Sequence, residues 1–314
     1  MPSLSARLIP AMITPFNADE SIDYSKLQAL AKHLAQHGCD GLLVNGTTAE
    51  CPTLTGEEKI KLVQTVQSAV SGLKTKGGNP VQIVAGIGSN NTKTTIEEAQ
   101  RTAALGVDAL LVVVPYYNKP SQRGMIEHFT QVAESVETEI VIYNIPSRTM
   151  VLMEPDTMAT LHQRCPNIIG VKQSHPDMDA VSEITHKLPA ETWRTWSGDD
   201  SLTLPMMACG AYGAFSVLGH LTGDMLYDMI TAMAAGNHQR ALALHLEQLN
   251  LGREIFCLPN PTVIKTCMAE LGFAGPTFRA PMVSPTDEEM VRIRAIFNES
   301  QAVLNKYHSA KIVV

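Results

Sequence analysis

Apolar residues in this chain come in short, nearly continuous runs, each followed by a longer stretch in which apolar positions recur every three or four residues. Eight runs read as strands: Arg7 to Thr14, Asp40 to Asn45, Val81 to Ala85, Asp108 to Val114, Glu139 to Tyr143, Asn167 to Lys172, Thr192 to Trp196 and Ala211 to Val217. Runs such as Leu110-Leu111-Val112-Val113-Val114 show no polar alternation, which suits strands covered on both faces in a parallel sheet. The stretches between them supply the cover. In the first, Leu27, Leu30, Ala31, Leu34 and Ala35 form one apolar stripe at helical spacing, with Gly38 as the stop signal. The second opens on Thr55-Gly56-Glu57-Glu58, a capping box whose hydroxyl and carboxylate satisfy first-turn amides.

Alternating units of this number, over about 230 residues, predict an α/β chain folded as a (β/α)8 TIM barrel. The barrel is expected over residues 1–236, with residues 237–314 packed on it as a C-terminal helical extension. In that extension Arg240 to Glu254, Pro261 to Leu271 and Asp287 to Lys306 read as helices, punctuated by Pro259-Asn260-Pro261.

Charge narrows the choice of function. The 24 Lys and Arg against 31 Asp and Glu leave a net charge of −7, and no basic run could neutralise a row of phosphates. Nucleic acid and anionic membrane are therefore not expected partners. The stretch Ser201 to Gly223 carries no charge and reaches the roughly 20 residues of a membrane span, but Pro205, His220 and four glycines break it into shorter elements. With no signal-like apolar stretch near the start, the expected setting is soluble and cytoplasmic. The six cysteines, Cys39, Cys51, Cys165, Cys209, Cys257 and Cys267, contain no C-x-x-C pair and read as free thiols.

Barrel enzymes work at the carboxyl ends of their strands, so the informative polar residues are those placed there. After strand two comes Asn45-Gly46-Thr47-Thr48-Ala49-Glu50, and after strand four Pro115-Tyr116-Tyr117-Asn118. Strand five ends in Tyr143-Asn144, followed by Pro146-Ser147-Arg148-Thr149, and strand six ends in Lys172. An amine leaving an apolar strand into a dry barrel mouth is expected to lose charge, and a neutral amine attacks ketones and aldehydes to form an imine, an electron sink. A lysine so placed commonly does no more than snorkel. A phenol at Tyr143 could shuttle protons to the same cavity, or be a packed aromatic. Thr47 and Thr48 could relay a proton or hold a carboxylate, or simply cap a turn. Arg148 could grip a carboxylate through two hydrogen bonds, or be an ordinary surface arginine.

Two other patterns promise less. His33 and His37 have the spacing of a helical zinc pair, but Leu34 stands where a metalloprotease has its glutamate. Gly86-Ile87-Gly88 follows a strand, but the third glycine of a dinucleotide fingerprint is missing.

Assembled, these residues resemble the dihydrodipicolinate synthase / N-acetylneuraminate lyase family of pyruvate-dependent class I aldolases, from about Leu8 to about Ala302. Gly46-Thr47-Thr48-x-Glu50, Pro115-Tyr116-Tyr117-Asn118-Lys119-Pro120, Tyr143 to Thr149, Gly170-Val171-Lys172 and Ser197-Gly198-Asp199-Asp200 carry the likeness. It implies condensation of pyruvate with aspartate semialdehyde on the way to diaminopimelate and lysine. Lys172 would form the pyruvate imine, Tyr143 would shuttle the proton, and Thr47 and Tyr117 would complete a relay to solvent. In the family the tyrosine matching Tyr117 comes from a neighbouring subunit, which implies a homo-oligomer, at least a dimer and in many members a tetramer. Thr48 would hold the pyruvate carboxylate and Arg148 that of the semialdehyde, while Gly198 and Phe215 would line the pocket. No metal and no organic cofactor is implied.

Sialic-acid lyases share the tyrosine and lysine but usually lack the arginine, so Ser147-Arg148-Thr149 favours the synthase branch, with a sugar-acid aldolase or N-acetylneuraminate lyase as the alternative. Ala49, Gln173 and Phe215 depart from the family's usual glycine, acidic residue and smaller aliphatic. In feedback-inhibited members a histidine and a glutamate help to hold lysine. Lys59 and Thr94 stand at the matching positions, with Gly56 replacing another histidine, which implies weak or absent inhibition by lysine.

Overall fold

The computed structural model describes residues 2–312. Its strands are β1 (Leu8–Pro10), β2 (Gly41–Val44), β3 (Gln82–Ile87), β4 (Ala109–Val113), β5 (Glu139–Asn144), β6 (Ile168–Gln173), β7 (Arg194–Ser197) and β8 (Gly213–Ser216). They hydrogen-bond in the order β1-β8-β7-β6-β5-β4-β3-β2 with helices between them, the nearly closed parallel barrel that the alternating pattern predicts, followed by C-terminal helices. Several strands are shorter than the apolar runs. β1 stops at Pro10: beyond it Ala11 forms an isolated bridge to Leu43 while its amide donates to the Ser216 carbonyl, and the Thr14 hydroxyl turns to the Ala49 carbonyl. β7 begins late because Thr192 and Trp193 donate their amides back to Pro189, and β8 because Ala211 donates to Met206.

The chain condenses into two compact units. One comprises Gln82–Phe215 with the amino-terminal residues up to Arg7, and so contains most of the sheet. Within it the register of β5 on β6 is the decisive feature. Ile140 pairs with Ile168, but Val141 pairs with Gly170, so a bulge absorbs one residue and Tyr143 comes level with Lys172. Without that extra residue Asn144 would stand opposite the lysine and every later side chain of β6 would face the other way. Gly170 is required at this point: a Cβ there would overlap the Arg194 carbonyl and lie 2.9 Å from the Trp196 ring. The ring of Trp196 fills that space, fully buried, with its Nε1–H donating to the Ala6 carbonyl.

The other unit comprises Leu8–Val81 with the chain from Ser216 onward. Its first helix, Tyr24–Gln36, buries the five residues of the predicted stripe and ends before Gly38, whose φ of +88° suits glycine alone. The capping box closes the start of the next helix, Gly56–Val70, with both Thr55–Glu58 bonds formed. The tail helices are His238–Glu254, Thr262–Glu270 and Asp287–Ile312. The uncharged stretch resolves into a short helix, β8 and a kinked helix, Gly219–Ala234, and among the described residues no helix is long and apolar enough to cross a membrane.

His220 opens that kinked helix and is buried, with one ring nitrogen against the Val217 carbonyl at 2.9 Å and Nε2 without a partner. Burial pushes its pKa down to about 4. The unfolded chain, titrating near 6.5, then binds the extra proton between those values, so stability falls as pH drops through that window, by about 3 kcal/mol. Asparagine can keep the donor to Val217 without titrating. Urea denaturation at pH 7 and pH 4.5 is therefore expected to show a smaller acid-induced loss for His220→Asn than for the unaltered chain; equal losses would refute this assignment.

Candidate active site

In the first unit Lys172 lies one residue before the end of β6 with the side chain buried, and its Nζ sits 4.2 Å from the centre of the Tyr143 ring and 5.6 Å from that of Phe215. Among the described residues neither a hydrogen bond nor a carboxylate holds this amine. The expected group of Lys172, Tyr143 and Phe215 is thus brought together, with Trp196 packed edge-on to Phe215 at 5.7 Å. Gly198 joins it. A Cβ on Gly198 would overlap the Ser174 hydroxyl and lie 3.0 Å from Lys172 Cε and 3.1 Å from Cγ, so the lysine stem runs directly beside this backbone. Ser174 Oγ is itself buried without a hydrogen-bond partner.

Behind the strand ends, the Asn144 amide donates to Gln173 Oε1 at 2.9 Å and to the Met153 carbonyl at 3.0 Å, and its Oδ1 accepts from the Met153 amide. Asn144 and Gln173 follow Tyr143 and Lys172 directly, so their buried amide pair ties the two strand ends together. Gln173 accepts this bond without bringing a negative charge.

Arg148 and Tyr117 lie on the surface of the same unit. Arg148 belongs to the single helical turn Pro146–Thr149 and is exposed. Tyr117 is 86% exposed at a φ of +73°, an uncommon conformation for an aromatic residue, and the neighbouring Asn118 amide ties the loop to the Asn90 carbonyl.

In the second unit Thr47 and Thr48 form a 3-10 turn, Thr47–Ala49, after β2. Thr48 is buried, and its Oγ1 accepts from the Asn260 amide at 2.9 Å. The turn ends at Glu50, in the left-handed region at φ +56°. Its carboxylate receives Lys265 Nζ at 2.6 Å and the Arg279 amide at 3.0 Å, while the Arg279 guanidinium forks onto Glu58. Burial pushes Lys265 down to about 8, and the Glu50 carboxylate offsets part of that. Two buried lysines therefore differ in kind: Lys265 is committed to an ion pair and Lys172 is not. Lys265 and Asn260 were invisible as site neighbours in the sequence; the one available signal was a lysine inside the apolar run Val263-Ile264-Lys265.

The lesser patterns find structural uses. His33 and His37 stack at 4.1 Å, His37 Nδ1 binds the His33 carbonyl, and among the described residues no three His, Cys, Asp or Glu side chains gather as a metal-binding group. The amide of Gly88 is taken by the Glu98 carboxylate at 3.0 Å, so the glycine turn already carries an anion of its own.

A family model described as the dihydrodipicolinate synthetase family matches residues 4–300. The chain belongs to this family. It is 42% identical over 288 residues to the 4-hydroxy-tetrahydrodipicolinate synthase of Dehalococcoides mccartyi (strain CBDB1), covering 92% of this chain and 94% of that protein. Among solved structures it is similar to the dihydrodipicolinate synthase of Cyanidioschyzon merolae with lysine bound, at 35% identity and a TM-score of 0.89 over 95% of this chain and 98% of that one. It is also similar to the chloride-inhibited synthase of Acinetobacter baumannii complexed with pyruvate, at 29% identity and a TM-score of 0.89, covering 95% of this chain and 99% of that chain. Relatives in the dihydrodipicolinate synthetase family thus carry the name of a lyase, and this chain is an enzyme of that kind.

The contact of Gly198 with the lysine stem is open to test. Gly198→Ala is expected to lower kcat/KM by about 100-fold, the scale of an ångström-level misplacement, and to lower the melting temperature as well, because the added methyl must displace the Ser174 hydroxyl and the lysine stem. Unchanged kcat/KM would show that the stem has room to spare.

Proposed function

We propose that this enzyme condenses pyruvate with L-aspartate 4-semialdehyde as a 4-hydroxy-tetrahydrodipicolinate synthase, through an imine on Lys172. The observation that carries the reading is a buried lysine with no counter-ion among the described residues, level with Tyr143, in a chain so similar to proteins of that name. The Lys172 amine adds to the pyruvate ketone and water leaves, giving the imine; loss of a methyl proton then gives an enamine that attacks the aldehyde carbon. Tyr143 carries the proton, with Thr47 and Tyr117 as the relay to solvent. Tyr117 would serve a neighbouring copy of the chain, for which its exposed, outward placement is suited, so the working form would be at least a dimer, and a tetramer in keeping with the family. Thr48 would bind the pyruvate carboxylate and Arg148 that of the semialdehyde, with Gly198 and Phe215 lining the pocket. The imine is itself the electron sink, so the reading requires no metal or organic cofactor. The reaction would belong to lysine biosynthesis by way of diaminopimelate, in the cytoplasm.

The Cyanidioschyzon merolae relative has lysine bound. Lys59, Thr94 and Gly56 would stand where feedback-inhibited members of the family hold lysine, and a lysine ligand would there meet the like charge of Lys59 in place of the histidine and glutamate of those members. We infer weak or absent lysine inhibition.

One coupled assay tests both statements. Turnover of pyruvate with aspartate semialdehyde is expected to exceed cleavage of N-acetylneuraminate, and submillimolar lysine is expected to leave the rate nearly unchanged. Faster cleavage of the sugar acid would transfer the enzyme to the lyase branch, and strong inhibition would overturn the regulatory reading alone.

A further inference from the structure

The turn that bears Thr48 has little to hold it from within. It is a single 3-10 turn with no side-chain cap at Gly46, and it ends in a glutamate, not a glycine, in the left-handed region. Its anchors come from elsewhere in the same unit. Thr14 Oγ1 donates to the Ala49 carbonyl at 2.8 Å, Glu50 is gripped on both oxygens, and Asn260 reaches Thr48 from a position more than two hundred residues along the chain.

The Asn260 bond also has a direction. Its Nδ2–H donates to Thr48 Oγ1, so the threonine acts as acceptor there and its own O–H stays available to donate elsewhere. Asn260 Oδ1 is buried without any hydrogen-bond partner. The Glu50–Lys265 pair lies behind, with Lys265 Nζ 3.9 Å from the Phe16 ring centre and its side chain fully buried.

We propose that Asn260 and the Glu50–Lys265 ion pair are positioning residues for substrate: they fix the Thr47–Ala49 turn and aim the Thr48 hydroxyl as a donor to the carboxylate of a small 2-oxo acid. The inference rests on the imine reading above, and it adds the groups that confer carboxylate affinity without touching the reacting carbon. Removing the Asn260 amide lets the Thr48 hydroxyl turn away. Replacing Asn260 by aspartate does more, because an ionised carboxylate in its place captures the Thr48 proton and repels a second carboxylate nearby.

The test is the pyruvate concentration that half-saturates borohydride trapping on Lys172, read with kcat and a thermal melt for each protein. Asn260→Ala is expected to raise that concentration about tenfold, with kcat at saturating pyruvate within about twofold and the melt nearly unchanged. Asn260→Asp is expected to raise it further at pH 8 and to recover part of the loss at pH 5.5, a pH dependence that a purely structural role would not create. Glu50→Gln, which keeps the shape and removes the charge facing Lys265, is expected to raise it as well. If Glu50→Gln fails to fold, the two Asn260 variants still decide. Unchanged half-saturation in both Asn260 variants, or a fall in kcat alone, overturns the inference. Absence of trapping in the unaltered enzyme would instead remove the imine reading, so the two failures are distinguishable.

Discussion

The site depends on the register of two neighbouring strands. Lys172 and Tyr143 meet only because a one-residue bulge separates the Ile140–Ile168 pair from the Val141–Gly170 pair. Glycine at 170 allows Trp196 to fill the strand face before the lysine, and the Asn144–Gln173 amide bond closes the ladder just beyond it. These features hold the strand that carries the lysine against both of its neighbours. Gly198 adds the last wall, since no side chain could stand where its missing Cβ would be. The aromatic rings of Tyr143 and Phe215 then flank an amine that no carboxylate among the described residues pairs with.

The second buried lysine explains why burial alone does not make a nucleophile. Lys265 is more deeply enclosed than Lys172, yet its proton is shared with Glu50 at 2.6 Å, and breaking such a pair from one side costs about 3–5 kcal/mol. That cost keeps it in place as a strut for the Thr47–Ala49 turn. One lysine is fixed by charge and the other by packing.

Much of the architecture could be read from the chain because it is written in local periodicity. The apolar runs foretold the eight-strand barrel, the Thr55–Glu58 box closed the helix start it marked, and the stripe from Leu27 to Ala35 became the buried face of its helix. Strand ends were less legible: Thr192 and Ala211 sit at places where an amide is diverted into a turn, which hydropathy does not record. Lys172 and Tyr143 were legible as strand-end residues, whereas the bulge that aligns them was not, because an extra residue in one strand leaves no mark on an all-apolar run. The Asn260–Thr48 and Lys265–Glu50 contacts join residues far apart in sequence, so only the folded chain pairs them. The two histidines and the glycine turn show the converse, local spacings whose polar groups the fold consumes internally.

The account's central claim is that the Lys172 amine, and not the other buried lysine, captures a 2-oxo acid. Incubation with pyruvate, reduction with borohydride and peptide mass mapping test it directly. The account predicts one reduced pyruvate adduct, on the peptide containing Lys172, absent from the peptide containing Lys265 and lost in Lys172→Ala. No adduct, or an adduct that persists in Lys172→Ala, would contradict it.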